Sequence, residues 1–322
     1  MPPVPIVFGP VLSRRLGWSL GVNHLRPKTC SYSCVYCQAG ATTRARTQPE
    51  HHYDPDDVAA AVLQRVARCR ASHQPLDVVT FVPDGEPTLD RGLREVMEVL
   101  RADGLRVAVI SNGSLLPRAE VRETLALADV VSLKVDTVRR STWQRLNRPV
   151  GTLDLDRILR SMRVFAAGFR GQLLTETMLV AGVNDDAAAV ERVADVLASI
   201  HPRCAYIAVP TRPGTEPWVR PPHEAVTRRA TGIFASRGLR VGLLTDEDDA
   251  GIFAPGPDAV EGLLGILAVH PMSESMARDY TDAAAGDWAT VERLIDRGRI
   301  ARISRDGTAF LRIDHAHDSA RS

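Results

Sequence analysis

The chain has 322 residues, 44% of them apolar and 25% charged, and a formal net charge of +1, the profile of an ordinary globular protein of about two domains. A charge so near zero supplies no global attraction for nucleic acid or an anionic membrane, and no run of about 18 apolar residues offers a membrane span. Met1-Pro2-Pro3-Val4-Pro5 lacks a basic stretch followed by an apolar run, so no secretory signal is expected and a cytoplasmic protein is.

Residues 1–17 are rich in Pro and Gly, carry Arg14 and Arg15, and read as irregular. Residues 18–25 read as a first strand, and a cysteine-bearing loop follows it to Gly40. After a polar stretch over 41–53, Asp54-Pro55-Asp56-Asp57 starts a helix with an Asp cap and Pro in its first turn. This helix runs to Cys69 and places Val58, Val62, Leu63 and Val66 on one face, with Cys69 as a packed thiol at its end. Residues 77–82 form the continuous apolar run of a buried parallel strand. Helix 90–103 leads to strand 106–110, and helix 117–127 to strand 130–136. Helix 154–167 precedes strand 173–180, helix 187–200 precedes strand 205–209, and helix 223–237 precedes strand 239–244. This alternation predicts an α/β fold with a parallel sheet of about six βα units, two fewer than an eight-fold barrel.

The most informative stretch is Cys30-Ser31-Tyr32-Ser33-Cys34-Val35-Tyr36-Cys37, three cysteines spaced Cys-x3-Cys-x2-Cys. A loop of this spacing can turn three thiolates onto one metal centre. A cubane iron–sulfur cluster takes four thiolates, so three leave one iron open to a ligand from outside the protein. Zinc would accept the same thiolates with His24 or Cys69 as a fourth ligand, and a disulfide with one spare thiol uses the same residues. The odd count of five cysteines fits a reduced compartment better. The triplet, with Tyr36 in the aromatic slot, resembles the signature of the radical S-adenosylmethionine (SAM) superfamily. That resemblance implies a 4Fe–4S cluster on Cys30, Cys34 and Cys37, with SAM chelated to the open iron. It further implies a partial (β/α)6 barrel of the TIM type, reductive cleavage of SAM to a 5′-deoxyadenosyl radical, and an electron donor of flavodoxin or ferredoxin type.

In parallel α/β folds chemistry gathers at the carboxyl ends of the strands, and the polar residues of this chain collect there. Gly85-Glu86-Pro87 after the second strand resembles the family's Gly-Gly-Glu-Pro element, which holds the amino group of SAM; Asp84 stands in place of its first glycine. Ser111-Asn112-Gly113 resembles the family's Thr-Asn-Gly tip beside the cofactor and is also an ordinary turn. Ser132, Lys134 and Asp136 alternate along the fourth strand and so share one face, directed at cofactor or substrate, with a structural Lys134–Asp136 pair as the alternative. Tyr36 is expected beside the adenine, as the family's aromatic is. Glu176, Thr211 and Arg212 are expected to close the site, and loops 147–149 and 182–185 to touch substrate. Of the 40 basic residues only Lys28 and Lys134 are lysine, and both fall near this site, where an amine can exchange a proton or form an imine as a guanidinium cannot. Lys28, Lys134 and Asp136 are therefore the candidate catalytic residues.

Phe8-Gly9-Pro10-Val11-Leu12-Ser13-Arg14-Arg15-Leu16-Gly17, then Ser19-Leu20-Gly21-Val22, resembles the superfamily branch related to the wybutosine-synthesis enzymes that modify guanosine in tRNA. Those enzymes carry further N-terminal cysteines for a second cluster, and here none precedes Cys30. Residues 257–313 read as an appended unit: helices over 260–269, 273–285 and 289–297, then two strands flanking Arg305-Asp306-Gly307, a strong hairpin signal. Three helices and a hairpin predict a winged helix after a barrel over 1–250, with 314–322 a disordered tail. Its mild arginine excess permits nucleic-acid contact. A radical SAM enzyme acting on tRNA or another nucleic acid is the leading expectation. A peptide or small-metabolite substrate is the runner-up, and a cluster-sensing DNA-binding regulator is the reading from another class.

Overall fold

The computed structural model describes residues 4–244 and 258–314. Strands β1 (Val7–Ser13) and β2 (Gly17–Val22) form an antiparallel pair at one edge of an eight-stranded sheet. The short strands β3 (Thr29–Cys30) and β4 (Arg44–Ala45) pair beside the cysteine loop, and α1 (Pro55–Ala71) follows. Then come β5 (Val78–Phe81), α2 (Leu93–Ala102), β6 (Val107–Ser111), α3 (Ala119–Leu125) and β7 (Val130–Lys134). Two helices, α4 (Arg140–Leu146) and α5 (Leu155–Gly168), lead to β8 (Gln172–Met178). The barrel ends with α6 (Ala187–Ile200), β9 (Cys204–Ala208), α7 (Glu224–Ser236) and β10 (Val241–Leu244).

The sheet order is β1-β2-β5-β6-β7-β8-β9-β10, parallel from β2 onward. The six expected crossovers are all present. Val79, Phe81, Val107, Val109, Val131 and Leu133 point outward into the helical layer, while Val78, Ala108, Val130, Leu174 and Cys204 fill the inner face. Burial on both faces is why these strands read as unbroken apolar runs. Glycine and proline hid β1, because an edge strand tolerates a proline that a central strand does not. β7 stops at Lys134, so Asp136 stands beyond the strand instead of continuing its face.

The C-terminal unit holds α8 (Ala259–Val269), β11 (Met272–Ser273), α9 (Glu274–Ala283), α10 (Trp288–Asp296), β12 (Ile300–Arg305) and β13 (Thr308–Ile313). Its three strands order as β11-β13-β12 around Leu263, Leu267, Met272, Leu311 and Ile313. Phe8 of β1 belongs to this second core. A Cβ on Gly21 would meet the Phe8 ring at 2.1 Å, and one on Gly265 of α8 would meet its Cβ at 2.9 Å, so two glycines seat one ring between barrel and C-terminal unit. Arg305 reaches back to the carbonyls of Pro210 (2.8 Å) and Arg212. Among the described residues no helix is long and apolar enough to cross a membrane.

Phe8→Ala is expected to lower stability by about 3–5 kcal/mol, the usual cost of emptying a buried aromatic site, read from thermal unfolding. A loss under about 1 kcal/mol would show that this ring does not join the two cores.

Candidate active site

Past Cys30 of β3 the cysteine loop has no helix or strand of its own, so neighbouring elements must satisfy its backbone groups. Ser33 N donates to Asn147 O (3.0 Å), Val35 N to Leu146 O (2.9 Å), and Val150 N to Ser31 O (3.0 Å). From other sides, Glu86 N donates to Thr29 O (3.1 Å) and Glu216 N to Val35 O (2.9 Å). Tyr32 packs edge-on to Trp143 of α4 at 5.7 Å. The loop is stitched to the end of α4 and the residues after it, and to the turns after β5 and β9, and the three thiols of Cys30, Cys34 and Cys37 emerge half-buried and free.

Each thiol meets one side-chain N–H from a different element. Asn112 Nδ2 lies 3.7 Å from Cys30 Sγ, Asn147 Nδ2 3.4 Å from Cys34 Sγ, and Lys28 Nζ 3.7 Å from Cys37 Sγ. Burial, then the Asp136 carboxylate, pushes the Cys34 thiol up to about 11, and burial followed by Glu86 raises Cys30 further. All five cysteines are free, so the disulfide alternative is not realised. The zinc alternative loses both of its proposed fourth ligands. His24 is buried with Nε2 against Pro87 O (3.4 Å) and Asp90 (3.9 Å), and Cys69 is buried in α1. Among the described residues no three Cys, His, Asp or Glu side chains are grouped to hold a single metal ion.

Gly85 is fixed by contact: a Cβ there would lie 1.9 Å from Thr29 O. Only glycine lets the turn after β5 approach the cysteine loop this closely. Glu86 is 1% exposed and accepts four hydrogen bonds. Its Oε1 takes Thr88 N (3.1 Å), Thr88 Oγ1 (2.6 Å) and Ser111 Oγ (2.7 Å), and its Oε2 takes Asn112 N (2.7 Å). Burial raises its pKa against these four donors. The carboxylate thus clamps the β5 turn to the β6 tip, and Pro87 opens the short turn Pro87–Leu89 behind it. Asn112, so held, donates to Ser31 Oγ at 2.9 Å as well as facing Cys30.

Asp136 is the second hub. It accepts from Tyr36 Oη, Asn147 Nδ2 (2.7 Å) and Met178 N (2.8 Å). Lys134 pairs with Glu176 at 2.7 Å, not with Asp136, and Arg15 pairs with the other oxygen of Glu176. Lys134 Nζ also stands 4.7 Å over the Tyr36 ring. Burial alone would raise Glu176, but Lys134 and Arg15 hold it down to about 2. Ser132, one layer below, is buried with an Oγ that has no hydrogen-bond partner among the described residues.

Tyr36, Cys37, Lys134, Glu176, Thr211 and Arg212 line a cavity of about 380 Å³, together with Arg15 and, from α8, Ile266 and Val269. Sequence reasoning placed all of these but Arg15 and the α8 residues near the site. Within the 182–185 loop expected to touch substrate, Asn184 is 2% exposed and braces Val180 N and Asp136 O at 2.8 Å. Gly214 was not foreseen: a Cβ there would press on Tyr36 Cα at 2.9 Å, and no local pattern announces that contact.

The family model of the radical SAM superfamily matches residues 26–193. Over 95% of both chains the sequence is 34% identical to a UPF0026 protein of Methanocaldococcus jannaschii. A crystal structure of a radical SAM methyltransferase from Sphaerobacter thermophilus superposes with a TM-score of 0.53 at 17% identity, covering 71% of this chain and 67% of that one. SuiB of Streptococcus suis, bound to SAM, gives 0.51 at 13% identity over 68% and 48% of the two chains. The chain belongs to the radical SAM superfamily and, within it, to the UPF0026 proteins. It is an enzyme whose cofactors are those of the family, a 4Fe–4S cluster and SAM. The site fits them: three half-buried thiols share one loop, Gly85 keeps backbone rather than side chain beside it, and the Lys28 ammonium faces a thiol.

Glu176 gives a pH prediction. Its ordinary value of 4.5 falls to about 2 in the folded chain, so its contribution to stability is complete above 4.5 and is lost as the pH drops towards 2. Glu176→Gln is expected to flatten that part of the acid-unfolding profile. An unchanged profile would show that the Arg15–Glu176–Lys134 cluster does not exist in solution.

Proposed function

We propose that this protein is a radical SAM enzyme acting on a small-molecule substrate bound in the cavity between the barrel mouth and α8. One observation carries the substrate class: the cavity of about 380 Å³ is walled by the cysteine loop on one side and by Ile266 and Val269 of the C-terminal unit on the other. That volume lies in the usual range of small-molecule sites, about 300–1,000 Å³. The cofactors, when bound, supply an electron and the 5′-deoxyadenosyl radical it releases from SAM.

The chain's own residues supply position and shelter. Cys30, Cys34 and Cys37 hold the cluster. Gly85, Glu86, Pro87, Ser111 and Asn112 form one wall of the cofactor site, with Glu86 acting through Asn112 and not by direct contact. Tyr36, its hydroxyl tied to Asp136, forms the opposite wall. Ser132, on the same strand face as Lys134, keeps a buried hydroxyl without a partner among the described residues, and burying it unpaired is costly. Lys134 is held by Glu176 as a cation facing the cavity, which suits orienting an acceptor group of the substrate. Asp136 positions Tyr36 and Asn147. α8 excludes water from a site whose radical would otherwise be quenched.

A nucleic-acid substrate, tRNA first, is the second reading, favoured by the resemblance of residues 8–22 to the tRNA-modifying branch and by a C-terminal unit in the pattern of a winged helix. The arginines of that unit are largely committed elsewhere. Arg302 and Arg278 pair with Glu274 at 2.8 and 2.9 Å, and Arg305 turns inward to the barrel. This distribution favours a cover over a reader of nucleic acid.

Reconstituted anaerobically with iron and sulfide and given dithionite and SAM, the wild type is expected to form 5′-deoxyadenosine, and Cys34→Ala to form at least 100-fold less. Metabolite fractions below the size of any tRNA are expected to stimulate turnover. Stimulation by tRNA alone would overturn the small-molecule assignment, and absence of 5′-deoxyadenosine would overturn the enzyme assignment.

A further inference from the structure

Lys28 is 2% exposed, and its ammonium has two polar neighbours: Asp84 O at 3.0 Å and Cys37 Sγ at 3.7 Å. Among the described residues no carboxylate lies within ion-pairing distance of it. The contrast is with Lys134, whose ammonium has Glu176 at 2.7 Å. A buried ammonium is costly unless negative charge lies close to it; the Asp84 carboxylate holds the Lys28 backbone N–H at 3.2 Å but makes no ion pair with Nζ, and a neutral thiol supplies no such charge. A thiolate does, and metal ligation requires the thiolate.

The backbone is committed to this placement as well. Lys28 has φ +56°, the left-handed region that non-glycine residues seldom occupy. Its N–H is held by Asp84 Oδ2 at 3.2 Å, and its carbonyl accepts from Thr43 N (3.2 Å) and Arg44 N (3.1 Å). Thirty-eight of the 40 basic residues are arginine, yet a lysine stands here, a compact ammonium in place of a planar guanidinium fork.

We infer that Lys28 is a positioning residue for the redox centre: its fixed positive charge beside Cys37 raises the reduction potential of the cluster, and it neither forms an imine nor touches substrate. Reduction adds one negative charge to the site, so a cation held against a ligand sulfur favours the reduced form. Asn112 and Asn147 make neutral counterparts of the same contact at Cys30 and Cys34. Nothing of this kind reaches the cavity: Lys28 is absent from its lining. This role for Lys28 rests on the radical SAM reading of the triplet.

The test is an EPR-monitored redox titration of the reconstituted full chain. Lys28→Met and Lys28→Gln are expected to hold iron and sulfide as the wild type does. At a fixed applied potential their ratio of reduced to oxidised cluster should fall at least tenfold, which is 59 mV for a one-electron couple. Lys28→Arg, which keeps the charge, should recover part of that loss, and Asn147→Leu should shift the potential less than Lys28→Gln. Full cluster loading in Lys28→Gln with an unchanged or higher potential would overturn the inference while leaving the enzyme assignment standing. Should neither neutral variant assemble a cluster, ENDOR of the reduced wild type in light and heavy water decides. Strongly coupled exchangeable protons are expected, and their absence overturns the role. A wild type that assembles no cluster would remove this role and the radical reading together.

Discussion

The site depends on one constraint: a stretch that, past the short strand β3, has no secondary structure of its own has to present three thiols at fixed places. Its backbone groups cannot be left unpaired in a half-buried setting, so the barrel supplies partners from the end of α4 and the residues after it and from the turns after β5 and β9. Asn147 O, Leu146 O and the Val150, Glu86 and Glu216 amides all take part. The consequence is that residues far apart in sequence are tied to the same few atoms. Glu86 and Asp136 act as two buried carboxylate hubs, one fastening the β5 turn to the β6 tip, the other fastening Tyr36 to Asn147 and β8. Rigidity of this kind matters to a site that must hold a reactive species in one orientation.

The C-terminal unit belongs to the same design. Phe8, seated on Gly21 and Gly265, makes β1 a shared element of two cores. Arg305 fastens the hairpin to the loop after β9. α8 then lies across the mouth and contributes apolar surface to the cavity wall. A unit bound this way shapes and closes a pocket, which links its packing to the proposed choice of substrate.

Much of this was legible in the sequence, for identifiable reasons. The βα alternation announced the parallel sheet, since buried parallel strands are apolar on both faces and their helices carry a clear period. The Cys-x3-Cys-x2-Cys spacing and Gly85-Glu86-Pro87 announced the site because contact there leaves little freedom: Gly85 has no room for a Cβ. What stayed hidden is tertiary. β1 was masked by its Gly and Pro. The pairing of Lys134 with Glu176 in place of Asp136 follows from β7 ending at Lys134 and from the register Lys134↔Glu176 across to β8. Asn147 and Gly214 act through contacts more than a hundred residues along the chain from Cys34 and Tyr36, and no local pattern encodes those.

Three cysteines of one loop leave an iron open for SAM. ENDOR on the reduced, reconstituted protein, with SAM labelled by ¹⁷O in its carboxylate and ¹⁵N in its amine, probes that opening. Strong hyperfine coupling from both labels to the cluster is expected, lost in Cys37→Ala. A wild-type cluster that forms fully and shows no coupling to either label would contradict it, because the fourth iron would then be closed to the cofactor.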